Sequence, residues 1–311
     1  MLYKGEICVF DKSLSHSHMM QDDTLAISTC VFETTQMNSF INTRTNIMGL
    51  QFGRDKFVKM HYGKKHNIDV CSNCKVYAWR DIVVTNETGK EELIDEYVGE
   101  ENMKLVNEKK YLGDIFTDDM KNIQNIREKT NRAVGIVNQI TTCLIERPYG
   151  KHTFSAALLM RESMLIGTLL NNSESWINLT KKDIESIEKP DVMLLRKVLG
   201  SSGNPSKVFL YLELGILPAR YVIMKKRLNF LRYSSKEDMG SMIRQVYDAI
   251  KTESRNGDFV DLVKKDIDEL DIQLSEKYIQ NTTKLIWKKL LNQKVSEACL
   301  RFFKEENSVK D

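Results

Sequence analysis

From Asp119 to the end of the chain, apolar residues recur at spacings of three and four, the period of an amphipathic helix. Ile123, Ile126, Thr130, Val134, Val137, Thr141 and Leu144 form one such stripe, and Phe154 to Leu170 forms a second, more apolar helix. Thr180 with Asp183 three residues on approximates a capping box and opens a third helix. Pro190 is expected to kink or split that helix before Met193 to Leu199, and Gly200 to end it. Tyr221 to Tyr233 is a further helix, and Gly240 to Lys304 reads as two or three more with no strand signal. Only 4 Pro and 15 Gly occur in 311 residues, so few breakers interrupt the pattern. At roughly 150 residues per domain, the length accommodates one large or two ordinary domains.

Residues 1–118 follow a different rule. Val9-Phe10 and Met19 to Ser28 have strand character, Phe32 to Ile47 has helical spacing through Phe32, Gln36, Phe40 and Ile47, and Phe57 to Tyr62 is extended. The acidic, polar stretch 84–108 predicts an exposed excursion before a last short strand at Tyr111 to Phe116. The expected fold class is α+β, helix-dominated, in three regions: 1–118, 119–234 and 235–311.

No apolar run approaches the ~20 residues that cross a bilayer, because Arg161 and Glu162 break the longest one. The amino terminus lacks the apolar core of a signal peptide, and six scattered cysteines read as free thiols in a reducing compartment. The expectation is an intracellular protein of nucleus or cytoplasm, with no membrane partner. Net charge is only +3, which excludes a strongly basic or acidic tail, but its distribution is uneven. Residues 1–118 are net −4, residues 119–234 net +8 and residues 235–311 net −1.

The sharpest local feature is Asp22-Asp23, two carboxylates followed by a strand-like run and so expected in a hairpin turn. Such oxygens suit Mg²⁺, and a two-metal site for phosphoryl transfer uses them to place ions on the attacking and leaving oxygens. Aspartates are also ordinary turn residues, and taken alone the pair reads as a turn rather than a metal site. Arg220, Lys225, Lys226, Arg227 and Arg232 give five cations and no acid within thirteen residues, interleaved with Tyr221, Phe230 and Tyr233. That pattern fits a helix along a nucleic-acid backbone with its apolar residues turned inward, or equally an amphipathic helix with a cationic outer face.

His61, His66, Cys71 and Cys74 have the order of a metal knuckle, but only one CxxC is present and the His spacing does not suit a β-turn finger, so zinc is not the expectation. His16 and His18 have no third ligand nearby, and Asp118-Asp119 reads as solvated charge. No P-loop, nucleophile elbow or dinucleotide fingerprint is present.

The string MMQDDTLAISTC, followed by TTQMNSFINTRTNIMGLQFGRDKFVKMHYGKK, resembles the palm of reverse transcriptases from non-LTR (LINE-type) retrotransposons. Asp22 and Asp23 match the family's paired aspartates, Gly49-Leu50 the step that follows, and Lys56 the lysine of the next motif; Met20 stands where Tyr or Phe is common. EKKYLGDIFTDD is similar to the primer-grip hairpin, with Tyr111, Leu112 and Gly113 at its core. LLNNSESWINLTKKDIESIEKPDVMLLRKVLG and VFLYLELGILPARYVIMKKRLNFLRY resemble the carboxy-terminal part of these polymerases, so the likeness covers nearly the whole chain.

The resemblance implies a partial palm (antiparallel hairpin strands plus a helix) with primer grip over 1–118, a basic thumb-like region over 119–234 and a helical connector over 235–311. It implies Asp22 and Asp23 as catalytic metal ligands for Mg²⁺, Lys56 beside the triphosphate as proton donor to pyrophosphate, and an RNA template with a DNA primer as partners. The family's further metal-binding aspartate, template-positioning segment and fingers lie upstream of the paired aspartates, and the chain begins about twenty residues before them. The expectation is therefore a fragment of an RNA-directed DNA polymerase that is inactive alone. The alternative is a non-catalytic helical module that binds nucleic acid, or a decayed retroelement product.

Overall fold

The computed structural model describes residues 8–10, 13–20, 23–27, 47, 58–60, 75–85, 91–102, 104–111, 113–119, 121–145, 153–201, 203–236, 241–252 and 256–308. They fall into two compact units, Met1–Met120 and Lys121–Asp311, and the chain is α+β with helix dominating.

In the first unit β1 (Cys8–Phe10), β2 (Ser13–Met20) and β3 (Asp23–Ile27) form an antiparallel sheet in that order. The register sets Met20 opposite Asp23, so only two residues join β2 to β3, the length of the tightest hairpins. Strand β4 (Val58–Lys59) falls in the segment expected to be extended, whereas the helix expected over 32–47 lies outside the described residues apart from Ile47.

The acidic stretch expected as an excursion contains a long strand instead. β5 (Lys75–Thr85) and β6 (Glu91–Asn102) form an antiparallel ladder that sets Ile82 opposite Ile94 and Trp79 opposite Tyr97, with a bulge between Ala78 and Trp79. Six carboxylates in β6 lower its apparent hydrophobicity, but Ile94, Tyr97 and Val98 supply the β-branched and aromatic residues that strands favour. Strand β7 (Lys104–Leu105) pairs in parallel with β4.

A last hairpin joins β8 (Glu108–Tyr111) to β9 (Asp114–Thr117), with Tyr111 opposite Asp114 and the Tyr111 and Phe116 rings edge to face at 6.4 Å. Gly113 turns this hairpin at φ +90°, where a Cβ would meet nothing within 4 Å. A positive φ, rather than close approach of a neighbour, is what requires glycine there.

The second unit begins with α1 (Ile123–Ile140), which runs into a π-helical turn at Thr141–Ile145. Its buried face is Asn125, Ile126, Lys129, Ala133, Val137 and Ile140; Ile126 and Val137 of the expected stripe are buried, but Lys129 and Ala133 replace Thr130 and Val134, and Ile123 is 56% exposed. Lys129 explains the offset: its ammonium donates to the Asn171 carbonyl and lies 5.1 Å from the Trp176 ring centroid, so a residue that periodicity scores as polar faces the core. Helix α2 (Thr153–Met160) continues through a π turn (Arg161–Ile166) into α3 (Gly167–Leu169). The π turn buries Arg161 together with Ile166, five residues on, a spacing that an α-helix would not align.

Helix α4 (Lys181–Val198) carries the capping box on Thr180: the Asp183 amide donates to Thr180 Oγ1 at 3.2 Å and the Thr180 amide to Asp183 Oδ2 at 2.8 Å. Pro190 does not split it. Ile187 and Leu194 on either side are wholly buried, and that packing outweighs the backbone hydrogen bond a proline forfeits. Gly200 ends the helix at φ +60°, with the Ser201 amide reaching the Arg196 carbonyl at 3.2 Å.

Helices α5 (Lys207–Leu214), α6 (Ala219–Lys236), α7 (Met242–Thr252), α8 (Phe259–Glu269), α9 (Glu276–Asn281) and α10 (Lys284–Ser308) follow. Four described helices thus lie beyond residue 240, where two or three were expected. Two apolar clusters hold the unit together. One gathers Ile126, Val137, Leu165, Leu169, Trp176 and Ile187, and the other Tyr211, Leu228, Leu231, Trp287, Leu291 and Phe303. Helices α4 and α6 feed both, through Leu194 and Leu195 and through Ile223 and Met224, so the regions on either side of residue 235 share one core.

Candidate functional site

Helix α6 runs from Arg220 to Tyr233 without an acidic residue, and all but one of the five cations named from the sequence have partners. Arg220 places Nη2 2.5 Å from Glu269 Oε2, and its guanidinium stands 5.6 Å from the Phe302 ring centroid. Lys226 donates from Nζ to the Leu170 carbonyl at 2.5 Å and lies 4.0 Å from Glu174. Arg227 is 5% exposed, with Nη1 2.7 Å from Asp266 Oδ2 and Nη2 3.4 Å from the Trp176 carbonyl. Arg232 donates to the Thr282 carbonyl at 2.9 Å. Lys225 makes no hydrogen bond or ion pair with the described residues; burial, with Lys288 nearby, lowers its pKa.

Four of the five cations are therefore held by acceptors inside the unit. The expected division, apolar residues inward and cations outward, does not hold along α6: Arg227 is buried, whereas Phe230 and Tyr233 are 39% and 49% exposed. Tyr221 is buried, donating to the Ala298 carbonyl at 3.2 Å, and burial raises its phenol. Lys226 and Lys129 reach the carbonyls of Leu170 and Asn171 just past the end of α3, at the negative end of the helix dipole, and Arg227 reaches that of Trp176 after the following turn (Ser173–Ser175).

Two charge pairs are buried, and of their four members the sequence reading had given a role only to Arg227. Arg161, 1% exposed, grips Asp191 with Nε and Nη2 at 2.6 Å each, and the Tyr211 hydroxyl donates to the same carboxylate at 3.3 Å. Burial, then Asp191, pushes the Tyr211 phenol well up. Glu188 pairs with Lys207 at 3.1 Å, and burial raises its carboxyl against that cation. The one sequence signal for this arrangement was the interruption of an apolar run by Arg161.

The second pair is Arg227 with Asp266. Burial pushes the Asp266 carboxyl up to about 6, more than Arg227 pulls it down. The folded state then binds more protons than the unfolded state between about pH 4 and pH 6, so stability falls as pH rises through that window and levels off above it. The expected change is on the order of 3 kcal/mol. Urea unfolding of the parent chain and of Asp266→Asn from pH 4 to pH 7 measures it: the parent loses stability relative to Asp266→Asn as pH rises. A relative gain with rising pH would show that the pair favours the ionised carboxylate.

In the first unit Asp23 opens β3 opposite Met20, while Asp22 and Lys56 lie outside the described residues. Tyr111 and Gly113 belong to the β8–β9 hairpin, and Leu112 between them is outside the described set. Asp119 accepts a hydrogen bond from Thr117 Oγ1 at 2.8 Å. His16 and His18 occupy alternate positions of β2, and His61, His66, Cys71 and Cys74 lie outside the described residues. Among the described residues no group of three or more His, Cys, Asp or Glu is placed to hold a metal, and no helix is long and apolar enough to cross a membrane. Comparison with protein-family models, with curated proteins and with solved structures finds no match to the chain.

Proposed function

We propose that this chain is part of a retroelement RNA-directed DNA polymerase, contributing the paired aspartates and the primer-grip hairpin of the palm together with a helical, primer–template-holding thumb. The observation that carries the reading is the β2–β3 register: the antiparallel strands pair as far as Met20 opposite Asp23, so Asp23 opens β3 at the hairpin end of the sheet. The second hairpin, with Gly113 at positive φ beside Tyr111, supports it as the element of similar form expected further along the chain. In this reading Asp22 and Asp23 supply hard carboxylate oxygens to Mg²⁺, whose chemistry is to activate the primer hydroxyl and neutralise the triphosphate. Lys56 stands near the leaving pyrophosphate, and RNA template and DNA primer are the partners.

The thumb part of the reading is tested by binding. Phosphate contacts release counterions, so the affinity of the chain for a labelled RNA–DNA primer–template should fall linearly on a log–log plot against salt. Lys225, the α6 cation with no hydrogen bond or ion pair among the described residues, is the one whose removal should act on this slope without breaking an internal pair. Fluorescence anisotropy is expected to show a clear negative slope, reduced by roughly one unit in Lys225→Ala if that ammonium neutralises one phosphate. Binding that does not respond to salt rejects the thumb reading.

A further inference from the structure

We propose that the seam between α6 and α10 is a surface for a single nucleic-acid strand, held by a row of five cations and one exposed tyrosine. Lys225, Asn229, Arg232 and Lys236 follow one another at i, i+4, i+7 and i+11 and so share one face of α6. Helix α10 runs antiparallel beside α6: the Tyr221 hydroxyl donates to the Ala298 carbonyl at 3.2 Å, the Trp287 indole to Asn229 Oδ1 at 3.0 Å, and Arg232 to the Thr282 carbonyl just before α10. Lys284 and Lys288, one turn apart and flanking Trp287, therefore stand against the same row.

Among the described residues none of the five cations is paired with a carboxylate. Arg232 and Lys236 share the Thr282 carbonyl, at 2.9 and 2.8 Å, an acceptor that fixes them without cancelling their charge. Burial, then Lys288, lowers the Lys225 ammonium, so two cations crowd one another there; Glu162 also acts on Lys225, but its carboxylate is paired with Arg161. Helix α6 carries no acid, and α10 carries four lysines and no acid between Lys284 and Ser296. Eleven residues of helix set Lys236 about 16 Å along the row from Lys225, a length that meets several phosphates of one strand. Tyr233, 49% exposed, stands one turn beyond Asn229 and one turn before Lys236. An unpaired base can stack on such a ring, which a closed duplex does not offer, and that favours a single strand over other polyanions. The surface is independent of the polymerase reading, which asks of α6 only that Lys225 meet a primer–template.

Fluorescence anisotropy of the full chain with labelled single-stranded oligothymidylate, from about 50 to 200 mM salt, tests it. Five phosphate contacts give a log–log slope of roughly −3.5. Lys284→Gln with Lys288→Gln, both exposed, is expected to flatten that slope by about 1.4, whereas Lys181→Gln with Lys182→Gln, exposed at the start of α4 and outside the row, leaves it unchanged. Tyr233→Ala is expected to weaken binding at least about fivefold with the slope and the circular dichroism unchanged, and Tyr233→Phe, which keeps the ring, to retain full affinity. Absence of binding, an equal effect of the two lysine pairs, or full affinity in Tyr233→Ala, which would mean that the surface reads charge alone, overturns the proposal. A chain that binds the strand in this way but does not bind a primer–template keeps the surface and loses the thumb reading.

Discussion

Asp191→Ala is expected to destabilise the helical unit by about 3–5 kcal/mol, the cost of leaving a buried charge without its partner. Asp191 is wholly buried and receives two hydrogen bonds from Arg161 and one from Tyr211. Removing it strands a guanidinium that is 1% exposed and whose remaining carboxylate partner, Glu162, sits on the surface with 61% of its side chain exposed. A domain is stable by only about 5–15 kcal/mol, so one substitution consumes a large share of the margin. The same physics predicts that Arg161→Met with Asp191→Leu and Tyr211→Phe, which removes every polar member of the group at similar volume, costs less than Asp191→Ala alone. Urea unfolding of the parent, the single and the triple variant reads both differences. A triple variant less stable than Asp191→Ala would mean that the network contributes net stability beyond the desolvation of its charges.

The strongest local patterns were legible in the sequence, and the long-range ones were not. The hairpin was expected from Asp22-Asp23 before a strand-like run, although Asp23 opens β3 and β2 reaches back to Ser13, and the Thr180 cap from a spacing of three, because both depend on residues within a few positions of one another. Strand β6 was hidden because its carboxylates mask a pattern that pairing with β5 makes usable. The buried face of α1 was misjudged by one position because Lys129 reaches a carbonyl 42 residues away. Pro190 was read by its local cost, whereas Ile187 and Leu194 fix the helix through tertiary packing.

The candidate site divides along the same line. The five cations of α6 were visible as a charge pattern, but their acceptors were not: Glu269 lies 49 residues from Arg220, Asp266 39 from Arg227, Leu170 56 from Lys226 and Thr282 50 from Arg232. No periodicity argument reaches that far. Charge in a helix therefore predicts a phosphate-binding face only when acids are also absent from the elements packed against it, and α8 supplies two, Asp266 and Glu269.

The central claim, that the chain is part of a two-metal polymerase, places its largest expected effect on Asp22. Phosphoryl transfer depends almost wholly on positioning and on electrostatic stabilisation by the metal ions, so loss of one carboxylate ligand should lower the rate by orders of magnitude. Positioning alone is worth about 7–11 kcal/mol in well-oriented reactions, so Asp22 is expected to act only where fingers and early palm hold the primer and the triphosphate in place. The direct measurement is primer extension on an RNA template with Mg²⁺, using the chain alone and the chain supplemented with the fingers and early palm of a non-LTR retrotransposon polymerase. Nucleotide incorporation is expected only in the mixture, reduced at least about 100-fold by Asp22→Ala in this chain, a change of roughly 2.7 kcal/mol or more in the barrier. A mixture that incorporates nothing, or whose incorporation Asp22→Ala leaves unchanged, would contradict it.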